Sequence, residues 1–392
     1  MSFKRFAIAL AVLGTFATGA KAQSGVIMYG VLDSPIEYVT HVARGAPTVN
    51  PVTGAVTQQP GGSRLALQGS GGMAGPRWGF RGAEELGATL QAVFVLEGGY
   101  GVDDGKSQQS GRLFGRQAYV GLRDSRYGAV TFGRQYTPMF DVLANFGPLT
   151  YASLYEPAAF QLGPAFRQDN VVKYVGVFGG VSVEAHLSFG AGVGSIAETS
   201  LAGGGVGETP GHFRDNSAYG ASLTYFGGPF GVTAVYDQWN PAVTVGNPGA
   251  AKKAAAAASY TMGPVKLMAG YRWGAMKDGV GTMLLRDDYY WAGVNYQATP
   301  ALGLNLGYYY DNLKEFRASS AGQAVNLPNP WQVSFLTDYT LSKRTNVYLT
   351  FAYSKNSGLN FDTSANGFAN GYFLAQGSSN QFGAAVGIRH KF

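Results

Sequence analysis

Apolar and polar residues alternate with a period of two through much of this chain. Over residues 181–189 the odd positions hold Val, Val, Ala, Leu and Phe, and the even ones Ser, Glu, His and Ser. Residues 265–273 set Val, Leu, Ala, Tyr and Trp against Lys, Met, Gly and Arg. The same rhythm recurs over 302–310, 331–341 and 382–392. Successive side chains of a strand point to opposite faces, so each stretch predicts a strand with one apolar face and one small, polar or charged face.

The connections between these stretches alternate in length. Short ones carry turn chemistry, at 124–128, Gly179-Gly180, Gly227-Gly228-Pro229, Gly263-Pro264, Thr299-Pro300 and 342–345. Long polar or glycine-rich segments fall at 41–75, 99–111, 137–166, 190–215, 240–252, 275–286, 312–329 and 356–377. Eight long loops alternating with seven tight turns, these six and one between the first two long segments, imply 16 antiparallel strands, with every long loop at one end. Tyr289-Tyr290-Trp291, Tyr308-Tyr309-Tyr310 and Trp331 fall near strand ends, where an amphipathic ring suits the membrane–water interface.

Composition turns this pattern toward a membrane. Charged residues make up only 13% of the 392, while 46% are apolar and 58 are glycine. That is about half the usual share of charge and twice that of glycine. A soluble surface would need more charge. Beyond the N-terminal segment no apolar run approaches the ~18 residues of a spanning helix, whereas strands of ~9–11 residues suffice for a closed barrel. The reading is an all-β, 16-stranded antiparallel transmembrane barrel with short periplasmic turns and long outer loops. A soluble sandwich with a tyrosine-rich core is the bland alternative.

At the N-terminus, Lys4 and Arg5 precede an apolar run over 6–16 and the triplet Ala20-Lys21-Ala22. This layout predicts a secretory signal peptide, residues 1–22, with the barrel domain at 23–392. The leader holds three bases and no acid, so its removal lowers the net charge from +6 to +3. Nucleic acid is not an expected partner. The chain has no cysteine, which excludes disulfides and thiolate-bound metals. His41, His186, His212 and His390 are scattered without metal-ligand spacing, and there is no G-x-S-x-G nucleophile elbow. No cofactor and no catalytic residue is expected.

Several segments together resemble the general porins of Gram-negative bacteria, in their beta-proteobacterial form. They are Met28-Tyr29-Gly30-Val31-Leu32-Asp33, Trp78-Gly79-Phe80-Arg81-Gly82 with Ala83-Glu84-Glu85-Leu86-Gly87, and Leu113-Phe114-Gly115-Arg116-Gln117 with Ala118-Tyr119-Val120-Gly121-Leu122. Phe132-Gly133-Arg134-Gln135-Tyr136, Arg167-Gln168-Asp169-Asn170-Val171 and the terminal Gly387-Ile388-Arg389-His390-Lys391-Phe392 continue the likeness. The resemblance implies a homotrimer of water-filled passive channels in the cell outer membrane. Their partners would be ions and small hydrophilic solutes, outer-membrane lipid and lipopolysaccharide, and the barrel assembly machinery, with Phe392 as its signal. A substrate-selective channel is the alternative, and a barrel enzyme or adhesin a more distant one.

The resemblance also implies that the third outer loop, 137–166, folds inward and narrows the pore. Its acids, Asp141 and Glu156, would face wall arginines Arg77, Arg116 and Arg134. Placing Tyr119 toward lipid puts Arg116, Ala118 and Val120 inside, while Phe132 shares its face with Arg134. Arg81 is expected away from Arg77, at the periplasmic rim. Three arginines against two acids predict a mild preference for anions.

Overall fold

Alternating strands that expose one apolar face need somewhere dry to put it, and closure into a cylinder gives every edge a partner. The computed structural model describes residues 25–192, 208–363 and 371–392. The leader at 1–22 lies outside the described residues, as do the middle of the loop at 190–215 and part of that at 356–377. Within them the chain forms a closed antiparallel barrel of 16 staves. The staves are β1 (Gly25–Ala43), β2 (Gly61–Leu67 and Arg77–Glu85), β3 (Leu90–Gly99) and β4 (Gln117–Asp124). Next come β5 (Gly128–Tyr136), β6 (Arg167–Phe178), β7 (Val181–Ser188) and β8 (Ala218–Gly227). They continue as β9 (Phe230–Trp239), β10 (Ala250–Met262), β11 (Val265–Lys277) and β12 (Met283–Gln297). The last four are β13 (Leu302–Phe316), β14 (Trp331–Thr340), β15 (Thr345–Lys355) and β16 (Asn380–Lys391).

The seam is made by β1 and β16, paired from Val31↔Lys391 to Val39↔Gly383. Beyond it Gly30 and Phe392 exchange both backbone hydrogen bonds at 3.1 Å. The six turns marked by turn residues fall where those residues place them, and a seventh, 86–89, joins β2 to β3. One predicted loop is shorter than expected. Within 41–75, residues Gly61–Leu67 pair with the upper half of β1 and form the outer part of β2. The stave then breaks at 68–76 and resumes at Arg77, opposite Val31. A short hairpin, Thr48–Val49 with Val56–Thr57, stands in the remaining loop.

Alternation decides which residues meet lipid. On β12, Tyr290 and Tyr296 are each 42% exposed on the outer side, six residues or about 20 Å apart along the strand. Tyr219 and Tyr225 repeat that spacing on β8. These rows are the two aromatic girdles of a membrane barrel. Tyr289, Trp291 and Tyr309 do not belong to them. They point inward and are almost fully buried.

What buries them is the loop between β5 and β6. Thr137 caps a short helix, α1 (Pro138–Leu143), by accepting the Phe140 N–H. A second helix, α2 (Ala158–Leu162), follows after the loop tip. Met139, Val142, Leu143 and Phe146 pack against Val235, Ala255 and Ala257 of β9 and β10 and against Tyr289, Trp291 and Tyr309. The main apolar core is therefore inside the barrel, between an inward loop and the wall. Small residues make room for it: a Cβ on Gly293 would lie 2.5 Å from Pro148, and one on Gly383 2.6 Å from the Tyr155 hydroxyl.

Candidate functional site: the inward loop and the arginine wall

Two inward segments meet in the barrel. The first is the break in β2. Asp33 on β1 accepts the backbone N–H groups of Gly72, Met73 and Ala74, at 3.0, 2.9 and 2.8 Å. The Tyr348 hydroxyl also donates to it. A carboxylate satisfied this way fixes a tight turn pointing into the lumen. The second is the tip of the inward loop, where the Leu154 N–H donates to the Gly72 carbonyl at 3.0 Å. Trp291 Nε1 holds the Phe146 carbonyl at 2.9 Å, Lys266 holds that of Asn145 at 2.7 Å, and Gln332 holds that of Tyr155 at 2.9 Å. The loop is thus tied to the wall at its side and at its tip.

Beside this junction the structure gathers guanidinium groups. Arg116 Nε donates to Glu97 at 2.7 Å, and Arg77 Nε lies 3.5 Å from the other oxygen of the same carboxylate. Tyr29 also donates to Glu97, at 2.9 Å. Arg77 donates to the Gly75 carbonyl at 3.0 Å. Arg77 and Arg116 repel one another, and Arg167 is repelled by Arg116 and more weakly by Arg134. The Arg167 guanidinium lies over the rings of Phe166 at 4.5 Å and Tyr136 at 5.0 Å, and has no carboxylate within 4.0 Å among the described residues. Two cations thus share one acid, and a third near Arg116 has none. A Cβ on Gly75 would sit 3.2 Å from Arg116 Nη1 and 3.8 Å from Ser153 Oγ, so the loop faces Arg116 with a hydroxyl.

The loop's acids are engaged elsewhere. Asp141 pairs with Lys173 of β6, which also meets Glu184 at 3.2 Å. Glu156 is folded back on its own loop, accepting the Leu149 and Ala152 N–H groups, both at 3.1 Å, and the Tyr309 hydroxyl at 3.1 Å. Burial pushes its carboxyl up to about 7, against the lowering effect of those donors.

Arg134 stands apart from Arg77 and Arg116. It lies opposite Ala118, which lies opposite Leu96, then Phe80, then the lipid-exposed Met28. Direct partners in an antiparallel ladder share a face, so Arg134 is on the outer side. There it binds Asp169 at 2.6 Å and the Gly115 carbonyl at 2.8 Å, beside Arg112. The parity expected for β4 is also reversed. Val120 is 58% exposed, and Tyr119 is on the inner face. Arg116 still reaches the lumen because it precedes the strand, where alternation no longer binds it. Arg81 is corrected too: four residues from Arg77, it shares that inner face and lies over Tyr29 at 5.2 Å. Sequence reasoning missed Glu97 and Arg167. A lone acid preceding Gly98-Gly99 in an apolar strand was the signal available for the first.

An aqueous barrel narrowed by a docked loop and lined by unequal charge is a filter for hydrophilic solutes. A family model for Gram-negative porins matches residues 9–359. The chain belongs to the Gram-negative porin family. An outer membrane porin of Bordetella pertussis is 31% identical over 425 residues, covering 99% of this chain and all of that one. Outer membrane porin protein 32 of Delftia acidovorans is 28% identical, with the same coverage. Among solved structures, an anion-selective porin from Comamonas acidovorans superposes with a TM-score of 0.72 at 25% identity, covering 94% of this chain and all of that one. The porin is an outer-membrane channel for passive diffusion, and its relatives point to transport rather than catalysis.

Proposed function

We propose that this porin favours anions, and that Arg77 and Arg116 around the single carboxylate of Glu97, with the unpaired Arg167 near Arg116, set that preference. Fixed charge at a narrow aqueous passage biases ion flow by sign. With Asp141 paired to Lys173 and away from the arginines, Glu156 is the loop acid that offsets the excess, and only while it is ionised. The similarity to a structure described as an anion-selective porin supports the same reading. The test is the reversal potential across a planar bilayer in a potassium chloride gradient, which takes the chloride sign if the reading holds and the potassium sign if it fails.

The working form is proposed to be a homotrimer, exported by the leader at 1–22 and seated in outer-membrane lipid and lipopolysaccharide. Small hydrophilic solutes are its cargo. Phe392 is proposed as the signal read by the barrel assembly machinery; its ring lies against Gly30 at the seam and stays 39% exposed.

A further inference from the structure

The root of the inward loop forms a flat aromatic wall beside the arginines. Phe140 leaves the buried face of α1, made by Met139, Val142 and Leu143, and stacks on Tyr136 at 3.9 Å with an interplanar angle of 11°. Phe166, where the loop rejoins the barrel, lies 5.7 Å from Phe140 at 11° and 6.5 Å from Tyr136 at 10°. Tyr151 extends the row, with its ring 5.2 Å from that of Phe140. Phe140, Tyr151 and Phe166 pack against the loop core yet stay partly exposed.

Unpaired positive charge borders this wall. The partly exposed Arg167 guanidinium lies over Phe166 and Tyr136 and meets no carboxylate within 4.0 Å among the described residues. Tyr136 is also close enough to Arg77 and Arg116 to act on both electrostatically. The pairing recurs four residues from Arg77, about 13 Å nearer the periplasmic turn, where the exposed Arg81 lies over Tyr29 at 5.2 Å.

Chloride would use only the charge of such a wall. Aromatic faces left open in an aqueous passage, next to a cation without an acid, fit a solute that carries both a flat ring and a negative charge. We propose that this wall binds aromatic carboxylates, with the arene ring along Phe140 and Phe166 and the carboxylate accepting from the Arg167 guanidinium. Offset stacking favours an aromatic ring over a saturated one, and the planar guanidinium offers a carboxylate two parallel N–H donors. The proposal rests on the anion-preferring reading and names a class of organic anion that the same passage selects.

The test records single channels of the full protein in potassium chloride while benzoate or cyclohexanecarboxylate is added, two anions of equal charge and ring size. Benzoate is expected to block the chloride current at about a tenfold lower concentration than cyclohexanecarboxylate. Phe140→Leu combined with Phe166→Leu keeps the apolar bulk and removes the π faces, and should make the two anions block equally. The single variant Phe140→Leu, at a partly exposed ring, should lower the ratio part-way and guards against a folding defect in the pair. Because the readout is a ratio, a loop that only loosens moves both anions alike. Equal block by the two anions in wild type, or an undiminished ratio in both variants, would overturn the proposal. The reversal potential of the same wild-type channels in a potassium chloride gradient separates the two claims. A chloride sign with equal block ends the aromatic site alone, and a potassium sign ends both.

Discussion

Tyr155, at the tip of the inward loop, donates its hydroxyl to Glu37 of β1 at 2.9 Å, across 118 residues of sequence. Glu37 is fully buried and also accepts from Tyr372 at 2.7 Å and Arg64 at 3.2 Å. One carboxylate therefore ties the pore loop, the last outer loop and the outer half of β2 to the seam of the barrel. Replacing Tyr155 by Phe removes a bond to a charged group, worth about 1.5–3 kcal/mol, while keeping the ring. The expected result is a noisier open channel with unchanged strand content, read from single-channel current fluctuations and far-UV dichroism.

The loop's other anchor is apolar. Phe146 is buried against the inner wall and stacks on Phe226 at 5.6 Å. Phe146→Ala should cost about 3–5 kcal/mol of loop docking, because the cavity cannot close against a rigid sheet. Conductance should rise as the loop loosens. The barrel's own melting, followed by its shift on heated gels, should change little, since no ladder hydrogen bond is lost.

Glu156 makes the channel's charge depend on pH. Its carboxyl is raised to about 7 by burial, so the negative charge is present above that value and lost below it. Anion preference should therefore increase as pH falls from about 8 to about 6. Glu156→Gln should remove this increment, and the difference between the two proteins, measured as reversal potential against pH, isolates the group.

Phe392 is a separate question from the pore. Its deletion should lower the amount of assembled protein in the outer membrane while export continues, because the leader is untouched. Quantifying assembled and periplasmic protein by fractionation checks this. Normal assembly would reduce Phe392 to a packing residue on Gly30.

The barrel was legible because lipid enforces a two-residue period over whole strands, and because tight turns have their own chemistry at Gly179-Gly180 or Gly263-Pro264. Two limits of that signal are visible at particular residues. Alternation assigns two faces but does not name them. Tyr119 looked like a girdle residue and lies inside, whereas Tyr289 and Trp291 serve as the floor for a loop that no local pattern announces. Alternation also lapses where strands end or bulge. Arg116 escapes it by preceding β4, and the irregular register between β5 and β6 flanks Arg134. The partner of Arg116 is Glu97, 19 residues away on the neighbouring stave, and only the register of β3 against β4 brings them together.

The central claim is that the lumenal cluster, rather than every arginine near the loop, sets ion preference. Opposite charges about 4 Å apart interact by about 4 kcal/mol at an effective dielectric near 20, so the Glu97 pairs resist screening by a wet pore. The decisive measurement is the reversal potential of wild type, Arg116→Ser, Arg167→Ser and Arg134→Ser in the same low-salt potassium chloride gradient. Arg116→Ser and Arg167→Ser should move it toward cation preference, with the shift shrinking at molar salt, where the screening length is about 3 Å. Arg134→Ser, on the outer face, should leave it near wild type. Equal shifts in all three variants, or none in Arg116→Ser and Arg167→Ser, would contradict this account of the pore.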